Sequence, residues 1–226
     1  MILIRRGKEP DSLLQYRKSN QEACYEELPP KPREDIRRQL WEEQKGLCAY
    51  CMCKIKDPED VRIEHYEARN PIGGTYNAED TLDYKHMLGV CYGNSLQPGV
   101  KEEDTTCDAH RKNIPLTVDP YDINSVRKVN YTTDGYITSI DDDIRTDVQE
   151  TLNLNCKKNS LPENRKNVLL QMKREIGKLC GNKSHDTYLS VLEKVYKRYT
   201  EEKKLVPYCG IVISWLEKEL KIYDTI

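Results

Sequence analysis

The sequence predicts an α+β fold: a metal-stapled core of short strands and loops, flanked by α-helices at both ends, with a β-hairpin after the core. Three observations carry this. Apolar residues recur at helical spacing before residue 46 and again beyond residue 144. Residues 47–119 are instead dense in Cys, His, Gly and Pro, which suits short strands and ligand-bearing loops. Two strand-like segments then flank a Thr-Thr-Asp-Gly turn. The chain divides into an N-terminal helical segment (1–46), the core (47–122), and the hairpin with a C-terminal helical segment (123–226).

Each element has a local reason. Residues 11–19 read as a short helix, and Leu28-Pro29-Pro30-Lys31-Pro32 reads as a break after it. From 33 to 45, Ile36, Leu40 and Trp41 lie at helical spacing, with Gly46 placed to stop the helix. The hairpin is expected over 126–131 and 136–140, joined by Thr132-Thr133-Asp134-Gly135. Helices are expected over 144–153, 162–179, 187–201 and 211–222, and Val168, Leu169, Met172 and Ile176 form one apolar stripe. This C-terminal part carries no ligand cluster and reads as a packing or interface module.

Composition narrows the function classes. The 226 residues suffice for one domain with helical extensions or a small core plus an accessory domain. A third of the chain is charged, Phe is absent, and 15 Tyr carry the aromatic bulk, each buried one needing a hydroxyl partner. The net charge of −2 does not suit a free-standing nucleic-acid binder, which draws its affinity from phosphate contacts. A nucleic-acid role would need a local basic patch or a partner that delivers the substrate. Met1-Ile2-Leu3-Ile4 is too short an apolar run for a signal peptide, and no run reaches membrane-spanning length, so a cytoplasmic protein without membrane contact is expected. Nine cysteines, odd in number and unevenly spaced, argue for a metal site plus leftover thiols rather than a disulfide framework.

The first chemical signal is Cys48-Ala49-Tyr50-Cys51, a knuckle whose thiolates converge on a tetrahedral Zn²⁺. Cys91 and Cys107 are the pair to close the site, with Cys53 as an alternative or spare ligand. The gap between them is wide, but loop-closure cost grows slowly with length. Cys24, Cys156, Cys180 and Cys209 stand alone in helical segments and read as buried thiols. The second signal is that His65, His86 and His110, three of the four histidines, fall in the same segment, His65 directly after Glu64. Carboxylate and imidazole can bind a divalent ion, and a further imidazole can act as a base near neutral pH. The third is Cys107-Asp108-Ala109-His110-Arg111-Lys112-Asn113, where Asp108 reads as a helix N-cap and His110 and Asn113 share a face. Arg111 and Lys112 there suit an anionic phosphate.

Taken in order, Cys48-Ala49-Tyr50-Cys51, Arg62-Ile63-Glu64-His65-Tyr66, Asp83-Tyr84-Lys85-His86-Met87-Leu88-Gly89-Val90-Cys91 and Cys107-Asp108-Ala109-His110-Arg111-Lys112-Asn113 resemble an HNH (ββα-metal) nuclease. The likeness is to the retron- and Septu-type HNH proteins of bacterial anti-phage systems, the PtuB-like group, and it covers about 47–122. It implies Glu64 as the acidic metal ligand, His65 as general base and His110 as the final ligand on the catalytic helix. His86 stands where the family carries its central Asn, which braces the loop bearing the base. Arg111, Lys112 and Asn113 would then meet the substrate.

The expected activity is hydrolysis of phosphodiester bonds in DNA, phage or invading. His65 would deprotonate water, and one ion held by Glu64 and His110 would act as Lewis acid and template. Mg²⁺, Mn²⁺ or another first-row ion suits that set, and structural Zn²⁺ sits on Cys48, Cys51, Cys91 and Cys107. Adjacent residues of a regular strand face opposite ways, so Glu64 and His65 can share one metal only from a strand end or bulge. The exit Glu67-Ala68-Arg69-Asn70-Pro71-Ile72-Gly73-Gly74 fits such a bend. The resemblance also implies a partner ATPase encoded alongside, in a hetero-oligomer. Two alternatives stand beside this reading: a non-catalytic zinc-stapled interaction module, and a nuclease directed at RNA.

Overall fold

The computed structural model describes residues 1–20, 23–67, 79–181, 184–201 and 205–222, and of residues 79 and 80 only the backbone. Helix α1 spans Asp11–Ser19 and carries Asp11 in its first turn and Arg17 and Lys18 in its last, as the helix dipole favours. Helix α2 spans Pro30–Glu43. The proline run expected to break the chain is therefore the start of this helix, because first-turn N–H groups have no intrahelical partner for proline to remove. After α2 the chain turns at Gly46, with φ +75°, whose N–H donates to the Trp41 carbonyl at 2.8 Å.

Strands β1 (Arg62–His65) and β2 (Met87–Val90) pair antiparallel, with Glu64 opposite Leu88 and His65 opposite Met87. All four residues of β2 are buried, because α2 covers one face and the cysteine knuckle the other. Gln44, just past α2, fastens this arrangement. Its amide nitrogen donates to the Gly89 carbonyl at 2.6 Å, and its amide oxygen accepts the Gly89 N–H at 2.7 Å. A Cβ on Gly89 would lie 3.3 Å from that amide and 3.2 Å from Val61, so a side chain there would press on the clamp.

Helix α3 is short, Cys107–Arg111, and α4, Ile123–Arg127, begins behind Asp122, whose carboxylate accepts the Asn124 N–H. The expected hairpin is present as β3 (Val129–Tyr131) and β4 (Ile137–Ser139). Its first strand starts later than residue 126 because Asp122 caps a helix there. Helix α5 (Asp142–Thr146) widens into a π-helical turn over Asp147–Thr151. Then come α6 (Leu161–Cys180), α7 (His185–Glu201) and α8 (Cys209–Glu219).

Three apolar clusters fill the structure. The central one gathers Cys48, Val61, Leu88 and Val90 with Val129, Ile137, Ile144 and Val148. Helices α6 to α8 build a second one, onto which Leu47 and Met52 pack. Helices α1 and α2 form the third with Ile63, Leu82 and Met87. The boundary expected between residues 122 and 123 thus does not separate two cores, since the second hairpin and α5 complete the packing around the cysteines. No helix among the described residues is long and apolar enough to cross a membrane.

Candidate metal centre and its surroundings

Cys48, Cys51, Cys91 and Cys107 converge so that their sulfurs all lie within 4.8 Å of one another. The Cys48–Cys107, Cys51–Cys91 and Cys91–Cys107 sulfur separations are 3.9, 3.7 and 3.7 Å. A tetrahedral ion with metal–sulfur bonds of about 2.3 Å requires sulfurs about 3.8 Å apart, so the thiols are spaced for zinc. The sequence-expected ligand set is the one the fold assembles.

Local backbone explains how. Residues Leu47 and Lys54 bridge, the Cys48 N–H donates to the Cys53 carbonyl, and Met52 takes φ +64°, which turns the knuckle tightly. The wide gap from Cys91 to Cys107 is closed at its base. There the Thr106 N–H donates to the Gly93 carbonyl at 3.0 Å, and Gly93 has φ +53°. A Cβ on Gly93 would fall 2.0 Å from the Thr106 oxygen, so only glycine permits the approach. Cys53 is half-buried and lies outside the four-sulfur set, with its N–H donating to the Cys51 sulfur at 3.4 Å. The Cys107 thiol is pushed well up by the neighbouring Cys48, Cys51 and Cys91 sulfurs, whereas Cys91, beside the Cys107 thiol, is lowered to about 6. Four crowded sulfurs resist ionising together, and a dication removes that obstacle.

The residues expected to perform catalysis are placed differently. Glu64 and His65 are consecutive in a regularly paired strand, and their side chains part. Glu64 faces α3. It accepts from the Arg111 guanidinium and from the Tyr50 hydroxyl at 3.3 Å, and burial followed by the Asp108 carboxylate raises its carboxyl well above the usual range. His65 faces the other way, with Nε2 2.8 Å from the Thr81 carbonyl and its ring edge-on to Tyr25 at 4.7 Å. The bend that was to bring both onto one ion falls on residues 67–74, of which 68–74 lie outside the described residues.

His110 was paired with Glu64 in the sequence reading, yet its Nδ1 lies 3.4 Å from Thr105 Oγ1 and 3.3 Å from the Glu102 carbonyl. On α3 it is Asp108 and Arg111, three residues apart, that share the face toward β1. Asp108 is buried and accepts from Arg62 Nε at 2.5 Å, so it is not the N-cap expected, a position that Thr106 holds. Arg111 is fully buried. It donates to the His65 carbonyl at 3.2 Å, the Tyr66 carbonyl at 2.5 Å, the Ile114 carbonyl at 2.8 Å and the Tyr50 hydroxyl at 3.1 Å. The expectation that Arg111 meets substrate is therefore corrected: it is an internal cation. Lys112 and Asn113 are exposed, Lys112 pairing with Glu102.

His86 is half-exposed, 3.4 Å from a Glu67 carboxylate oxygen and 3.8 Å from one of Asp83. Its backbone carbonyl, not its ring, accepts the Tyr66 N–H at 2.7 Å. It borders an open cleft of about 440 Å³ lined also by Arg5, Arg6, Tyr66 and Asp119. A cavity of about 670 Å³ lies between the N-terminal segment, β3 and α7–α8, and Glu64, His65 and His110 do not line it.

Among the described residues, the arrangement offers one group of side chains that could hold a metal ion, the four thiols. A second, catalytic ion does not fit the residues as they stand, because Glu64 and Asp108 each already hold a guanidinium. Sequence reasoning missed buried Tyr50 and Asp108, and the exposed Arg62 that pairs with Asp108, as members of this polar cluster. The three-residue spacing of Asp108 and Arg111 was the signal available. Comparison with known proteins adds no assignment: no family model matches the chain and no curated protein matches it.

Proposed function

We propose that the protein is a zinc-stapled HNH-type nuclease hydrolysing phosphodiester bonds of DNA, working with a partner ATPase in anti-phage defence. One observation supports this above the others. A four-cysteine centre fastens a knuckle, the β1–β2 hairpin and α3 in that chain order, with a carboxylate and an imidazole on the last two residues of β1. In this reading the His65 ring donates Nε2–H to the Thr81 carbonyl, so Nδ1 is the basic nitrogen that takes a proton from water. Arg111 fixes the backbone carbonyls of His65 and Tyr66 and so sets the base's strand end. Lys112 and the exposed cations at the cleft beside His86 are the groups placed to meet phosphate. Structural zinc on the four thiols has no part in the chemistry.

A second reading, a non-catalytic zinc module, draws on the Glu64–Arg111 pair, which fills the place of the catalytic cation. One assay separates them: cleavage of labelled DNA and RNA with Mg²⁺ or Mn²⁺, by the protein alone and with its ATPase. Wild type should cut DNA, and His65→Ala should lose about 10²–10⁴-fold while keeping its zinc. No cutting under any condition selects the module, undiminished cutting by His65→Ala overturns the base assignment, and cutting of RNA alone overturns the substrate.

A further inference from the structure

Arg165, one turn into α6, is 2 % exposed. Its donors reach neutral oxygens: the Gly135 carbonyl at 2.5 Å, Asn155 Oδ1 at 3.4 Å and the Leu154 carbonyl. No carboxylate among the described residues forms an ion pair with it, which is unusual for a guanidinium so deeply buried. Arg111, the other such arginine, has Glu64.

The packing around Arg165 ties it to the four-cysteine cluster. Leu161, on the first turn of the same helix, and Leu154, whose carbonyl Arg165 holds, both belong to the cluster that contains Cys48, Cys51 and Cys107. The Cys107 N–H in turn donates to the Leu152 carbonyl at 2.9 Å. Burial lowers the guanidinium to about 10, and the groups that oppose this are the Cys51 sulfur, the Tyr208 hydroxyl and the Cys107 sulfur. Tyr208 accepts from Asn164 at 3.3 Å and is itself pushed up by burial, so it stays neutral. The Cys51 and Cys107 thiols are pushed up as well by their crowded neighbours, and they become anions where a dication holds them.

Four thiolates around a dication leave two negative charges in excess, buried in an apolar cluster. Such a centre is costly unless a cation stands near it. We propose that Arg165 is the charge partner of the four-cysteine zinc centre, so that α6 tunes zinc affinity through its guanidinium without touching the metal. This rests on the zinc reading of the four thiols. Each group answers the other's unmatched charge, and the pairing couples the C-terminal helices to the core.

The test is zinc affinity of the full chain by competition with a chromogenic chelator, with far-UV circular dichroism to check folding. Wild type should carry about one equivalent of zinc, and Cys48→Ser should lose it. Arg165→Met should bind zinc about 10- to 100-fold more weakly, and Arg165→Lys, which keeps the charge but not the planar fork, should stay within a few-fold of wild type. Arg165→Gln is the neutral variant to use if Arg165→Met does not fold, with the same loss expected. Unchanged affinity in the neutral variants overturns the proposal while leaving the zinc centre intact. Equal weakening in Lys and Met overturns it too, by assigning the effect to the hydrogen bonds. A wild type without zinc brings down the centre itself and this inference with it.

Discussion

Arg111 and Glu64 meet where both are almost wholly buried, their side chains 0 % and 9 % exposed. Taking two charges out of water is expensive, and removing one partner leaves the other uncompensated. Arg111→Met should therefore cost about 3–5 kcal/mol of stability. The double variant Glu64→Gln with Arg111→Met should cost clearly less than the two single changes together, because neither charge is then stranded. Urea unfolding of the four proteins measures this, and strict additivity would show that the pair is not coupled. At this scale the sequence was a partial guide. The four-cysteine cluster was legible because Cys48-x-x-Cys51 is a geometric statement about thiols and Cys91 and Cys107 lay in the same dense segment. The parting of Glu64 and His65 was not, because a strand end or bulge was expected to turn both toward one ion, whereas the two pair in regular register. Arg111 was not legible: a basic residue beside Lys112 reads as solvated, and only the fold shows that five acceptors line its path inward.

Among elements, the loop between β2 and α3 shows most clearly how backbone conformation serves the metal. Gly93 brings its two ends together, and Gly93→Ala would meet both an unfavourable φ and the Thr106 oxygen. That variant should release zinc to a chelator faster than wild type and melt lower, whereas Gly99→Ala, with nothing near its Cβ, should keep its zinc despite its own positive φ. Equal retention in both would mean that the loop does not hold Cys107. The π turn after α5 makes a second link between elements. There the Asp147 carboxylate accepts the Thr117 and Val118 N–H groups at 2.6 and 2.8 Å, and burial raises its carboxyl above the usual range. A carboxyl raised on folding adds stability below the unfolded value of about 4 and loses it as pH climbs through the folded value. Asp147→Asn keeps both acceptor bonds and removes the charge. It should match or exceed wild type at pH 7, with the difference gone below about pH 4, while Asp147→Ala should lose about 1–3 kcal/mol for stranding two amides. Denaturant midpoints across pH decide it, and an Asn variant as weak as the Ala one would mean that the ionised form is needed. Helix and hairpin positions were read well from periodicity and turn residues. What periodicity could not give was α4, which starts where the Asp122 carboxylate accepts a backbone N–H, and the π turn, which has no side-chain cap to mark it.

At the scale of the whole molecule, the four cysteines sit in one of the three apolar clusters of the described residues. They come from the knuckle, the end of β2 and the start of α3, and the strands and helix packed around them bring little other regular structure. Helices α6 to α8 bury Leu169, Met172, Leu192, Val195, Val212 and Leu216 among themselves, so their cluster is built mainly from its own side chains. Zinc removal should therefore loosen the first more than the second. The two tryptophans happen to report on one each. Trp41 packs against the central cluster and donates to the Ile55 carbonyl at 2.9 Å, whereas Trp215 lies against the second with Lys173 4.6 Å over its ring. In a Trp215→Phe protein, adding a strong chelator should move the remaining Trp41 emission to the red at low urea. In a Trp41→Phe protein the Trp215 emission should hold until higher urea. Leu47 and Met52 of the knuckle lie in the second cluster, Tyr208 N–H donates to the Met52 carbonyl at 2.9 Å, and Tyr131 packs against both clusters, so these contacts help set how far the two parts stay coupled. Coincident shifts of both reporters would mean that they suffice to make the chain unfold as one unit when its metal leaves.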